Sequence, residues 1–229
     1  MKVFAVKPLA TDAPFLYRIL QRFAQLVVPI LVRMDVVGLE HIPATGPFIL
    51  ASNHLHVFDL PVMFTYAPRV MTVFTADKWR GTLGGWIVQL VTRTIYVARG
   101  EVDRQALGEA LALLKAGEVL AVAPEGTRSR TGGLLKGHSG IIYLAGRAGV
   151  PIVPAVMWGQ EQVMPGWLRL RRAKVHLHIG PPICLPPDAA RFRTADLDAH
   201  TEQLMLTLAR MLPPQYRGVY FDMVDDTKV

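Results

Sequence analysis

The sequence predicts an α/β protein, with one central sheet, mixed or mostly parallel, flanked by helices and preceded by an N-terminal amphipathic helical segment. Three observations carry this. Short apolar runs rich in β-branched residues, such as "FILAS" and "VPIVPAV", alternate with longer segments of 3.6-residue periodicity. No repeat period appears, nor a linker long enough to separate two equal domains. Of 229 residues, 51% are apolar and 19% charged, which suits one large core, or a core plus a lipid-facing surface. The boundaries read as 1–34 for the helical segment, 35–213 for the α/β domain and 214–229 for a C-terminal tail, whose end "DMVDDTKV" (222–229) is polar and frayed.

Residues 14–34, "PFLYRILQRFAQLVVPILVRM", read as a helix. Arg18, Gln21, Arg22 and Gln25 recur at spacings of three and four and share one face. Pro29 is expected to kink or divide it. Such a helix either packs on the core or lies in a membrane interface, for which its basic flanks and broad apolar face are suited. No run reaches the roughly 18–20 apolar residues of a spanning helix. The N-terminus lacks the apolar stretch and small-residue cleavage site of a signal peptide.

Next, "DVVGLEHI" predicts a short strand, "PATGP" a turn and "FILAS" a buried strand. Asp59-Leu60-Pro61 opens a helix, with Asp59 at a capping position. Strands follow at 69–76 and 93–99, separated by a helix at 85–92. Residues 103–117 form an amphipathic helix closed by Gly117, 118–126 a buried strand, and 139–149 a helix ending at Gly149. "VPIVPAVMWG" and "AKVHLHIG" are strands, and 196–212 is a terminal amphipathic helix.

A net charge of +7 suits an anionic partner. No helix-turn-helix, zinc-finger or RNP pattern is present, so nucleic acid is not the expected partner. The basic run "RLRRAK" (169–174) is a solvated face, or a patch approaching a membrane or phosphate. Cys184 is the single cysteine, which excludes an internal disulfide and a cysteine-based metal site. His-x-His occurs at 54/56 and at 176/178 without an evident third ligand, so no metal is expected; His176 and His178 read as the polar face of a strand.

In open α/β sheets ligands gather at the carboxyl ends of strands. Three such ends carry polar clusters: "SNHLHVFD", "ARGEVDR" and "PEGTRSR". In the first, His54 and Asp59 suit a general base and the carboxylate that fixes its tautomer, or an acidic cap beside a partly buried histidine. His56 reads as structural. In the third, Gly126 permits close backbone approach, Arg128 supplies a fork for phosphate, and Glu125 can accept a substrate hydroxyl or hold an arginine; a solvated turn is the other reading. Arg99, ending its strand, is a further phosphate candidate.

Together, "NHLHVFD", "YVARGEVDR", "PEGTRSR" and "VPIVPAV" resemble, in order and rough spacing, the four sequence blocks of the glycerolipid acyltransferases. The resemblance spans about residues 35–185 and departs from the usual pattern at Ala98 and Ala123. It implies that His54 and Asp59 are catalytic and that Arg99, Glu125, Gly126, Thr127 and Arg128 bind the acceptor's phosphate. Lys136, His138, Pro151, Ile152, Val153 and Pro154 would lie by the acyl or acceptor pocket. The implied reaction moves a fatty acyl group from acyl-CoA or acyl-ACP to the free hydroxyl of a lysophospholipid, foremost 1-acyl-glycerol-3-phosphate, giving phosphatidic acid. It needs no cofactor beyond that co-substrate and no metal. The implied location is peripheral or monotopic, on the cytoplasmic face of a membrane. Alternatives are acyl transfer to another lipid alcohol, or a non-catalytic module that binds lipid or acyl carrier.

Overall fold

The computed structural model describes residues 13–98, 103–169 and 171–224. Among the described residues, seven strands form one sheet: β1 (Arg33–Val37), β2 (Phe48–Ser52), β3 (Met71–Ala76), β4 (Arg93–Val97), β5 (Val119–Val122), β6 (Ile152–Trp158) and β7 (Lys174–Ile179). Their order is β1-β7-β6-β2-β5-β3-β4. Every pairing is parallel except β6 with β7. The predicted mixed, mostly parallel sheet is therefore the one observed.

Central β2 is buried on both faces, which explains why Phe48, Ile49, Leu50 and Ala51 are all apolar rather than alternating. Phe48 and Leu50 point to one side, where α1 (Phe15–Leu31), α2 (Asp59–Tyr66) and α6 (Val163–Leu168) complete the core. Ile49 and Ala51 point to the other, against α4 (Arg104–Lys115), α5 (Gly140–Ala148) and α7 (Thr194–Met211). Helix α3 (Leu83–Val91) lies beside α1.

Three expectations change. Pro29 does not divide α1; the helix runs on to Leu31. Its carbonyl-rich end is held from outside, because Arg172 donates to the Pro29 oxygen (2.7 Å) and Trp167 Nε1 to the Leu31 oxygen (3.1 Å). The glutamines of α1 do not face water. Gln21 is buried and donates to the carbonyls of Phe64 and Ala67 at the end of α2, at 2.9 and 2.6 Å, while Gln25 reaches Thr65. The outward stripe is instead Phe15, Ile19, Phe23, Leu26 and Ile30, all exposed. Lastly, residues 214–224 do not trail off as a tail. Leu134 N–H donates to the Tyr216 carbonyl, and Tyr220 and Val224 are buried against Leu208 and Leu212. The segment carries Tyr216, Val219, Tyr220, Phe221, Met223 and Val224, apolar enough to dock on the core.

Candidate active site

Strands β6, β2 and β5 are adjacent and mutually parallel, so their carboxyl ends open side by side. Each sends one loop into the same region. The β2 loop starts at Asn53, whose buried amide both donates to the Met157 carbonyl and accepts from the Met157 N–H, each at 2.8 Å. This double bond fastens the loop to β6 before the chain reaches His54.

His54 Nδ1 lies 2.7 Å from Asp59 Oδ2. An ionised carboxylate only accepts, so Nδ1 is the donor, and in the neutral ring Nε2 is then the nitrogen with the lone pair. The histidine side chain is 41% exposed and the aspartate 9%. Asp59 is not the cap of α2; Phe58 holds that position and Asp59 is the first helical residue. Its carboxylate turns back into the loop and also accepts from the Leu55 and His56 N–H groups, both at 3.0 Å to Oδ2. Gln160 Nε2 donates to Oδ1 at 2.8 Å. Gln160 sits just past β6, after Gly159 at φ 89°, where a Cβ would fall 2.3 Å from the Lys174 carbonyl oxygen and only glycine fits. The 101-residue separation from Asp59 left no sign of this contact in the sequence.

The β5 loop grips His54 on both sides. Glu125 Oε1 accepts the His54 N–H (2.9 Å) and Oε2 the Leu135 N–H (2.8 Å). Ser129 N–H donates to the His54 carbonyl (2.8 Å). Glu125 is therefore buried and committed to main-chain partners, and not placed to meet a phosphate or hold an arginine. Burial pushes its carboxyl above the ordinary range, against the lowering effect of the Leu135 and His54 N–H groups. Gly126 makes the turn at φ 64°, with the His138 ring 3.2 Å from where its Cβ would be.

Beside this loop lies a cleft of about 400 Å³, lined by Leu55, His56, Arg128, Ser129, Arg130, Gly132, Glu161 and Tyr216. His56, stacked on Phe58 at 5.3 Å, thus lines the cleft and is not merely structural. Two guanidinium groups on one short loop make it attractive to an anion. Glu161 on its wall accepts a 2.6 Å hydrogen bond from the Tyr216 hydroxyl. Arg130, Glu161, Tyr216, Asn53 and Gln160 all escaped the sequence reading. The charge of Arg130 was the one available signal; the others reach the site through tertiary contacts.

The remaining candidates scatter. Arg99 lies outside the described residues. Thr127 and Lys136 are exposed, and neither is a cleft wall residue. His138 holds the loop from behind, its N–H donating to the Pro124 carbonyl at 2.8 Å. Pro151, Ile152, Val153 and Pro154 are not among the residues lining this cleft. Pro151 precedes β6 and the other three begin it, with Ile152 and Val153 fully buried on opposite sheet faces. Ile152 pairs with Ile49, at the far end of the sheet from His54, so their apolar character serves the core.

This arrangement offers a lone pair on an oriented imidazole, beside a cationic cleft on the same loop system. A sequence model of the acyltransferase family matches residues 33–158. The chain belongs to the acyltransferase family. Among relatives of this acyltransferase, 1-acyl-sn-glycerol-3-phosphate acyltransferase alpha of Mus musculus is 31% identical over 138 residues, covering 55% of this chain and 45% of its own. The Homo sapiens protein of the same name is 29% identical over 203 residues, covering 82% and 67%. The chain thus spans from about half to two thirds of these relatives' length. The crystal structure of the 1-acyl-sn-glycerophosphate acyltransferase PlsC from Thermotoga maritima is similar, with a TM-score of 0.63 and 26% identity, covering 82% of this acyltransferase and 76% of that chain.

Proposed function

We propose that this protein transfers a fatty acyl group from a CoA or acyl-carrier-protein thioester to the hydroxyl of a lysophospholipid, foremost 1-acyl-glycerol-3-phosphate. The observation that carries this is the His54–Asp59 pair whose main chain is bonded to the loop bearing Arg128. The phosphate enters the cleft against Arg128 and Arg130, which holds the glycerol hydroxyl at His54 Nε2. Nε2 takes the hydroxyl proton as the oxygen attacks the thioester carbonyl. The tetrahedral intermediate collapses with loss of the thiolate, which receives the proton back from the imidazolium. Asp59 stabilises the imidazolium in between. The names of the relatives support the acceptor class, and the cationic cleft supports a phosphorylated one.

Release of free thiol from a long-chain acyl-CoA, and from acyl-ACP, by the purified full chain tests the reading. Turnover is expected with lysophosphatidic acid and not with the matching monoacylglycerol. Replacing Arg128 with Ala should raise KM for the phosphorylated acceptor about tenfold to hundredfold, the scale of a charge-assisted contact of 1.5–3 kcal/mol. Absence of thiol release with every lysophospholipid tried would sink the reading. Preference for an unphosphorylated lipid alcohol would retain acyl transfer and remove the cleft's assigned role.

We also infer that α1 lies in a membrane interface, on the cytoplasmic face where the thioester donors are made. None of the described helices is long and apolar enough to cross a membrane. The outward stripe of α1 is apolar while its amides point inward, the reverse of a helix facing water. Leu83, Trp86 and Ile87 of neighbouring α3 are exposed too, and Arg18, Arg22 and Arg33 sit at the margins. The double variant Phe23→Asp/Leu26→Asp should lower sedimentation with phosphatidylglycerol vesicles by about a hundredfold or more, since each side chain is worth about 1.5–3 kcal/mol of burial. Unchanged partitioning would refute the assignment.

A further inference from the structure

The edge of the sheet formed by β1 and β7 carries a cluster that the acyltransferase site does not use. His176 and His178 alternate on β7 and so share one sheet face. Asp35 on β1 is the register partner of His176 and joins them on that face. The sequence alone gave the His-x-His without a third donor; strand pairing supplies it. One donor atom from each of the three residues lies within 4.8 Å of the others.

One of these donors lacks what buried polar atoms normally have. His178 Nε2 is shielded from solvent and, among the described residues, has no hydrogen-bond partner. His176 Nδ1 is shielded as well and meets Asp35 Oδ2 at 2.8 Å. Buried polar atoms are almost always satisfied, by protein, by water or by an ion. Here an unpartnered imidazole nitrogen of His178 lies beside the His176–Asp35 pair, and an ion would satisfy all three groups together.

The rings are also held in place. Trp158, paired with His176 across β6–β7, stacks flat on its ring at 4.4 Å and 5° and meets His178 edge-on at 4.6 Å. This apolar cover restricts the rotamers and the entry of water. Lys174 Nζ, 3.8 Å from Asp35 Oδ2, is the competing cation, and its side chain is exposed and free to swing into solvent.

We propose that Asp35, His176 and His178 form a binding site for a divalent transition-metal ion, zinc foremost, that pins edge strand β1 to β7. Two imidazoles and one carboxylate suit zinc, with a water as fourth ligand. Donors on one ion at bond lengths of about 2.1 Å stand roughly 3.0–3.4 Å apart, so separations of at most 4.8 Å close by no more than about 1.5 Å on binding. The proposal is independent of the acyl-transfer reading.

The test uses the full chain without a histidine tag, freed of metal by chelation and titrated with Zn²⁺ and Co²⁺. The wild type should take up about one equivalent, raise its melting temperature, and give a visible absorption band with Co²⁺. X-ray absorption of the bound zinc should report two imidazoles and oxygen. His178→Gln and Asp35→Asn should each weaken binding by about a hundredfold and abolish the melting shift. Failure of the wild type to bind, a ligand shell without two imidazoles, or unchanged binding in both variants would overturn the proposal.

Discussion

Replacing His54 with Ala should lower kcat for acyl transfer by about a thousandfold or more, with KM for either substrate little changed. The imidazole is the group here assigned to move the proton, and such a group contributes typically 10²–10⁴. It does not touch the phosphate cleft wall directly, so binding should survive. The fold should survive as well. The side chain is partly exposed and its one polar partner among the described residues is Asp59, while the main chain keeps its bonds to Glu125 and Ser129. Thiol release measured beside a thermal melt separates chemistry from folding. A kcat within tenfold of wild type would remove His54 from the reaction.

The substitution Asp59→Asn should cut kcat by about 10²–10⁴ at a cost of only about 1–2 kcal/mol in stability. The small cost follows from Gln160. In the native arrangement its Oε1 is buried and without a partner while Nε2 serves Asp59 Oδ1. With asparagine, the new NH₂ can occupy the Oδ1 side and the Gln160 amide can turn over, so that Oε1 accepts from it. The remaining asparagine oxygen stays at the Oδ2 position and keeps the Leu55, His56 and His54 donors. Geometry persists, and what disappears is the negative charge that stabilises an imidazolium. Asp59→Ala, by contrast, strands all of those donors and should unfold the loop. Urea titration with parallel kinetics distinguishes the cases; near-native kcat in Asp59→Asn would mean that the carboxylate acts only as a structural brace.

Local pattern carried the elements whose cause is local. "FILAS" was readable because a strand buried on both faces must be uniformly apolar, and the helix 104–115 because Asp103 caps it through the Ala106 N–H. The approach of His54 to Asp59 was readable because five residues of turn decide it. Glu125 was misassigned for the opposite reason. Its two partners are main-chain N–H groups, at His54 and Leu135, and no side-chain pattern advertises a backbone donor. Gln21 could be placed on a face with Arg18, Arg22 and Gln25, but nothing local showed that the end of α2 presents two carbonyls to it. The "VPIVPAV" stretch was assigned to a pocket although its composition is simply that of a central strand.

The grip of the Glu125–Ser129 loop on both sides of the His54 peptide fixes a length. If His54 accepts the proton and Arg128 anchors the anion, as proposed, the two are carried by loops whose main chains are bonded to each other. Such a frame works as a gauge, admitting acceptors whose reacting oxygen and headgroup charge are separated by the span it sets. Diols and lysolipids with the same groups at another spacing would bind at one end and miss at the other, competing for the cleft without being consumed.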